Sequence, residues 1–173
     1  MKNDYIIPIL ALSLICLFVS GTLALVNNFT APVIQIASAA RAAEARRQII
    51  PSADDFELIV VEGLPRTITE VYKAAGNAGY IFMITIPGYG GDINMICGID
   101  VFGKIIRTRV LSHTETKGMT DPVFSEPHES QYHGKDRYLL DIAAVTGATI
   151  SSNAYRNGVR DAFTAFELVH GHR

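Results

Sequence analysis

Ile93-Asn94-Met95-Ile96-Cys97-Gly98-Ile99-Asp100-Val101, then Phe102-Gly103, then Lys104-Ile105-Ile106-Arg107-Thr108-Arg109-Val110-Leu111 is the stretch that decides the class of the fold. Side chains alternate between the two faces of a strand, so Ile93, Met95, Cys97, Ile99 and Val101 share one face. A Gly-bearing break followed by a second β-rich run predicts an antiparallel hairpin closed around Phe102-Gly103, with one face of the sheet buried. Upstream, 56–61, 67–74 and 80–86 carry the same alternation, and Gly76-Asn77 between the last two is a hairpin turn signal. Downstream the period changes. Tyr155, Val159, Ala162, Phe163, Phe166 and Val169 recur at helical spacing, which predicts a C-terminal amphipathic helix. Strands followed by a loop-rich segment and a helix make an α+β domain with an antiparallel sheet.

The N-terminal part reads differently. Residues 5–26 contain no charged side chain, and about 20 apolar residues span a bilayer as a helix. Pro8 falls in the first turns, where a missing N–H costs little. A cleaved signal peptide fits less well: the apolar run is longer than a signal core, and the small-residue triplet Ala37-Ser38-Ala39 lies too far beyond it. Residues 33–50 are Ala-rich with Pro51 as a stop, which predicts a helix. The expected organisation is a membrane anchor at 1–30, a juxtamembrane helical connector at 31–51 and one domain at 52–173. Lys2 before the span and Arg41, Arg46 and Arg47 well beyond it do not fix the orientation.

Composition narrows the function. The 173 residues carry a formal charge of −2, with 49% hydrophobic and 18% charged residues. A near-neutral domain without a basic patch is a poor nucleic-acid binder, so none is expected as a partner. Cys16 lies in the apolar run and Cys97 in a strand, so neither a disulfide nor a CxxC pair is expected. His113, Glu115, Asp121, His128 and His133 offer metal-ligand chemistry, but their spacing matches no helix-borne ligand pair, and no metal is expected. His170 and His172 read as fraying-tail residues.

Val145-Thr146-Gly147-Ala148-Thr149-Ile150-Ser151-Ser152 enters the C-terminal helix. A helix start offers free N–H groups and the positive end of the dipole, which suit a phosphate. Thr and Ser are also preferred N-caps whatever the function. Two further loops stand out: Gly88-Tyr89-Gly90-Gly91 before the hairpin, and Ser112-His113-Thr114-Glu115-Thr116-Lys117-Gly118-Met119-Thr120-Asp121 after it.

In order along the chain these motifs resemble the FMN-binding domain found in the G subunit of Rnf electron-transport complexes, a domain shared with a component of the sodium-pumping NADH:quinone oxidoreductase. Leu25-Val26-Asn27-Asn28-Phe29-Thr30-Ala31-Pro32-Val33-Ile34 is similar to the family's membrane-exit segment. Thr146-Gly147-Ala148-Thr149 resembles its flavinylation motif, and the Glu115-Thr116-x-Gly118 core resembles its His-x-Glu-Thr-Pro-Gly-x-Gly loop. Lys117 stands where Pro is usual, Thr120 where the second Gly is usual, and Ala143 where the motif has an Asp, with Asp141 two residues earlier. The resemblance implies covalent FMN on Thr149 through a phosphoester, with Thr146 and Ser151 as lesser hydroxyl candidates. Thr146, Gly147, Ala148, Glu115, Thr116, Gly118 and Tyr89 are the implied neighbours of the cofactor.

It further implies a single-pass protein of the inner membrane with its flavin domain on the extracytoplasmic, periplasmic side. Such a protein relays electrons within a ferredoxin:NAD oxidoreductase coupled to Na+ or H+ translocation, beside iron–sulfur and flavin subunits. A flavin transferase loads it. No acid–base catalytic residue of its own is expected, because the cofactor carries the redox chemistry. The competing expectations are the same domain in another respiratory or reductase system, and a membrane-tethered assembly module without cofactor.

Overall fold

The structure, a computed structural model, describes Ile6 to Gly171. Tyr5, the first residue of the expected span, lies outside the described residues, as do Lys2 and His172. The contacts divide the chain into two compact units, one up to Arg41 and one from Ala42.

The first unit is helical. Helix α1, Ile6–Ile49, runs without a break through Pro32, so the anchor and the connector, read as separate segments, form one helix. Hydroxyls along it bond back to its own carbonyls, Thr22 to Phe18 and Thr30 to Val26 at 2.9 Å each, which keeps them from competing with the helix. Its apolar stretch is long enough to cross a membrane by length and composition. Leu17, Phe18 and Leu23 are all exposed, so this surface has no protein cover among the described residues. An apolar face of that size calls for a non-aqueous surround.

In the second unit five antiparallel strands lie in sequence order: β1 Phe56–Ile59, β2 Ile68–Ala74, β3 Gly79–Pro87, β4 Asp92–Ile99 and β5 Ile105–His113. Each strand of this meander is paired with its chain neighbour. The expected α+β class with an antiparallel sheet and a C-terminal helix is borne out. Strand β1 is shorter than the predicted 56–61 run, ending before the exposed Val60. The central turn forms where expected. Asp100 Oδ1 accepts the Phe102 and Lys104 N–H groups at 2.8 and 2.9 Å, and Gly103 takes φ +75°, a conformation that excludes most side chains. Because β4 stops at Ile99, Val101 belongs to the turn and leaves the buried row that was predicted to include it.

One face of the sheet carries the main core. Phe82, Ile84, Ile93, Met95, Cys97 and Ile99 pack there against Tyr155, Val159, Ala162 and Phe163 of the C-terminal helix. That helix, α3 after the short α2 at Glu126–Glu129, spans Thr149–Gly171. Gly158 lets it cross close over β3: a Cβ there would lie 3.1 Å from Ile86.

The other face is not left to solvent, contrary to the half-buried sheet expected. Ala45, Ile49 and Ile50 from the end of α1 pack with Ala53 on Ala74, Ile81 and Ile96. Ile81 and Ile96 lie out of phase with the apolar row that alternation picks out. Gly98 makes this fit, since a Cβ on it would sit 2.3 Å from Ile49 Cγ2. Arg46 lies over the Tyr72 ring at 4.2 Å, and Arg109 bonds Gln48, so polar contacts rim the patch.

Candidate functional site

The turn before α3 is built from backbone. The Ala148 N–H donates to the Val145 carbonyl at 3.1 Å, with Gly147 at φ +83°. The Ser152 N–H donates to the Ala148 carbonyl at 2.9 Å, and Ser152 Oγ accepts the Val145 N–H at 3.1 Å. Ala148 is buried in the core, which fixes the turn. Ser152 of α3 thus reaches back to hold the turn, and Thr149 makes no such bond. Thr149 is the first residue of α3, exposed, and its hydroxyl is bonded to no other group among the described residues. Thr146 and Gly147 are exposed beside it, while Ser151, the other candidate hydroxyl, is buried.

The chain reaches this turn through a kinked segment. Leu139 and Asp141 both take left-handed backbone conformations, at φ 49° and 61°, which are uncommon without glycine. Buried Leu139 and Ile142 anchor the segment, and Arg156 of α3 bonds the Ile142 carbonyl. Ala143 is exposed, with its N–H held by Gln131 Oε1 at 2.9 Å. Asp141 is also exposed, two residues upstream in the kink.

Glu115 is only 5% exposed. Its carboxylate accepts the Tyr89 N–H at 2.6 Å and the Gly90 N–H at 3.1 Å, which joins the two loops flanking the β4–β5 hairpin. The first of these loops is closed by the Gly88 N–H on the Gly91 carbonyl at 2.8 Å. Its glycines are filled from within the protein. A Cβ on Gly88 would meet Glu115 Oε1 at 1.8 Å and the Gly91 carbonyl at 2.9 Å, and one on Gly91 would meet Thr114 Oγ1 at 2.0 Å. Tyr89 itself is 69% exposed. Downstream, Thr116 and Gly118 are exposed, and Thr120 Oγ1 donates to the Thr116 carbonyl at 3.0 Å. Thr120 is buried and closes the loop by that bond. Lys117, in place of Pro, is exposed.

Glu115, Tyr89 and the glycine loop are therefore brought together, as are Thr116 and Thr120. No hydrogen bond among the described residues joins 146–149 to either loop. Ser152, Gly88 and Gln131 support the site; sequence reading placed the first two inside motifs without assigning their bonds or contacts, and missed Gln131. Ser152 carried a signal, a hydroxyl one turn into the helix, and Gly88 one in its glycine-rich loop; Gln131 acts across the fold and carried none.

The histidines fall elsewhere. The His113 ring lies on Phe124 at 4.3 Å, and buried His128 packs edge-on to Tyr132 and Tyr155 at 5.6 and 5.3 Å. Burial pushes the His128 pKa below its usual 6.5 and that of neighbouring Glu129 above 4.5. His170 stacks on Phe166 at 5.2 Å, one turn back on the same helix. Among the described residues no three His, Cys, Asp or Glu side chains come together as a metal site would require. Cys16 and Cys97 are both free thiols.

Residues 88–164 match the family model of the FMN-binding domain. The match begins at the glycine loop and ends within α3, so it encloses the hairpin, the Glu115 loop and the Thr149 turn. The chain is 27% identical over 156 residues to the G subunit of the proton-translocating ferredoxin:NAD(+) oxidoreductase complex of Clostridium ljungdahlii, covering 84% of this chain and 83% of that protein. It is 24% identical over 173 residues to the G subunit of the Na(+)-translocating ferredoxin:NAD(+) oxidoreductase complex of Acetobacterium woodii, with the same two shares. With the G subunit of the ion-translocating oxidoreductase complex of Shewanella piezotolerans it shares 28% identity over 196 residues, 96% of this chain and 91% of the relative.

Proposed function

We propose that this chain, which carries an FMN-binding domain and is related to the G subunits of ion-translocating oxidoreductase complexes, is the membrane-anchored flavin subunit of such a ferredoxin:NAD oxidoreductase, with FMN attached to Thr149. The observation that carries the reading is the Thr149 hydroxyl: exposed, unbonded, and held at the first residue of a helix whose following turns are buried in the core. A phosphoester forms when Thr149 Oγ1 takes the place of one phosphate oxygen, with net loss of water. The site then needs no arginine clamp. The residual phosphate charge faces the free N–H groups and the positive dipole end of α3. Exposed Thr146 and Gly147 leave the hydroxyl open to a flavin transferase.

FMN supplies the electron transfer, and the chain's share is to tether it, orient it and hold it at a fixed place. Tyr89, Thr116 and Gly118 are the exposed groups of the two loops that line the proposed flavin site. Proposed partners are the other membrane and iron–sulfur subunits of the complex. The apolar stretch of α1 would anchor the chain in the inner membrane, with the domain on the extracytoplasmic side. Relatives named for proton and for sodium translocation match over equal shares, so the similarity favours neither ion.

Mass spectrometry of the full chain co-expressed with a flavin transferase tests the attachment. The peptide containing Thr149 is expected to gain the mass of FMN less water, with the fragment ions placing it on Thr149. An unmodified peptide, or a modified Thr146, would overturn the assignment.

A further inference from the structure

We propose that Glu115 is a positioning residue: its carboxylate locks the 88–91 loop to the 114–118 loop and sets the flavin's surroundings through backbone, without touching the flavin. This rests on the flavin reading above. The warrant is the use already made of both oxygens. Oε1 takes the Tyr89 N–H at 2.6 Å and Oε2 the Gly90 N–H at 3.1 Å, in a pocket that leaves the residue 5% exposed. A carboxylate buried this far needs hydrogen-bond partners for its charge, and two successive backbone donors provide them.

Gly88 follows from the same fact: it has no room for a Cβ because Glu115 Oε1 is there, while a Cβ on Gly90 would rest in ordinary contact with Glu115 and Thr116, at 3.4 to 3.5 Å. A loop kept open for a planar ligand would instead show unfilled space at these positions. Thr114 completes the lock, its N–H bonded to the Asp92 carbonyl at 3.1 Å and its hydroxyl filling the Cβ place of Gly91. The consequence is that Tyr89, with its side chain in solvent, and the exposed Thr116 are held as one rigid pair.

The test compares wild type with Glu115→Gln, Glu115→Ala and Gly88→Ala in the full chain in detergent, with and without flavin loading. In the flavin-free chain, amide exchange of the peptide holding Tyr89 and Gly90 is expected to quicken by about ten-fold or more in Glu115→Ala and by less in Glu115→Gln, which keeps one acceptor oxygen. Circular dichroism identifies the variants that keep the fold. In the loaded chain, Gly88→Ala, which keeps the carboxyl group but forces it off the loop, is expected to shift the flavin's visible spectrum and midpoint potential in the same direction as Glu115→Ala. Exchange unchanged in both Glu115 variants would overturn the proposal. So would a flavin shift in Glu115→Ala that Gly88→Ala does not share, since that shows that disturbing the lock does not reach the flavin. A wild-type chain that takes up no flavin defeats the flavin reading instead, and the exchange arm still decides whether Glu115 locks the loops.

Discussion

The turn at 146–149 and the lock at Glu115 are both polar loops carried by one sheet-and-helix core, yet they treat their reactive groups in opposite ways. Thr149 offers a free hydroxyl to solvent and leaves its own support to neighbours, Ala148 in the core and Ser152 bonded to the Val145 N–H. Glu115 is itself the support, enclosed and bonded on both oxygens. An attachment point must be reachable by an outside enzyme, so its fixing has to come from residues that are not modified. A positioning group has no such need and gains from burial, because a charge-assisted hydrogen bond strengthens where water is excluded.

The sharpest way to break that contrast is Thr149→Ala. Covalent flavin should vanish, read as loss of fluorescence from the denatured band, while stability in a denaturant titration stays within the range of a neutral surface change, about 0.5 kcal/mol. Fluorescence that persists would place the attachment elsewhere. Gly88→Ala should do the reverse, costing about 1–3 kcal/mol in the same titration because the Gly91 carbonyl as well as the carboxylate must move. Ser152→Ala tests whether the turn is held from inside the helix. Loss of its hydrogen bond with the Val145 N–H should cost about 1 kcal/mol and lower the rate of flavin loading with Thr149 intact.

The smallest effect is in pH. His128 is depressed chiefly by burial; the Val123 backbone opposes this and the Arg156 charge adds to it. A histidine with a lowered folded pKa is protonated first in the unfolded chain. Stability is therefore whole above about 6.5 and falls as pH drops from there toward the folded value. Neighbouring Glu129, raised by burial, works the other way and loses its contribution as pH rises above 4.5. A pH series of unfolding midpoints on wild type and His128→Gln should show a shallower decline below 6.5 in the variant. Equal slopes would show that His128 is not the group responsible.

The parts of this molecule that repeat at a fixed interval were legible in the sequence. The β4–β5 hairpin follows alternation, and the α3 face from Tyr155 to Phe166 follows helical spacing, because each buries one stripe against one layer. The second face of the sheet was not. Ala45 and Ile49 make a stripe only two residues long at a helix end, and it has meaning only beside the notch at Gly98. At the site, the Thr149 motif could be read because its residues are contiguous. Glu115 could be marked but not understood, since a side chain bonding backbone 25 and 26 residues earlier leaves no spacing signal. The stacking of His170 on Phe166 likewise left no mark, because a tail position says nothing about a ring one turn back.

The fit of Ile49 against Gly98 also fixes where the chain can be cut. A water-soluble version must retain Ala45, Ile49 and Ile50, for without them Ile81 and Ile96, now fully covered, become a sticky patch in the middle of the sheet. Starting the polypeptide a few residues too late would turn a monodisperse reagent into an aggregating one, with the flavin site itself untouched.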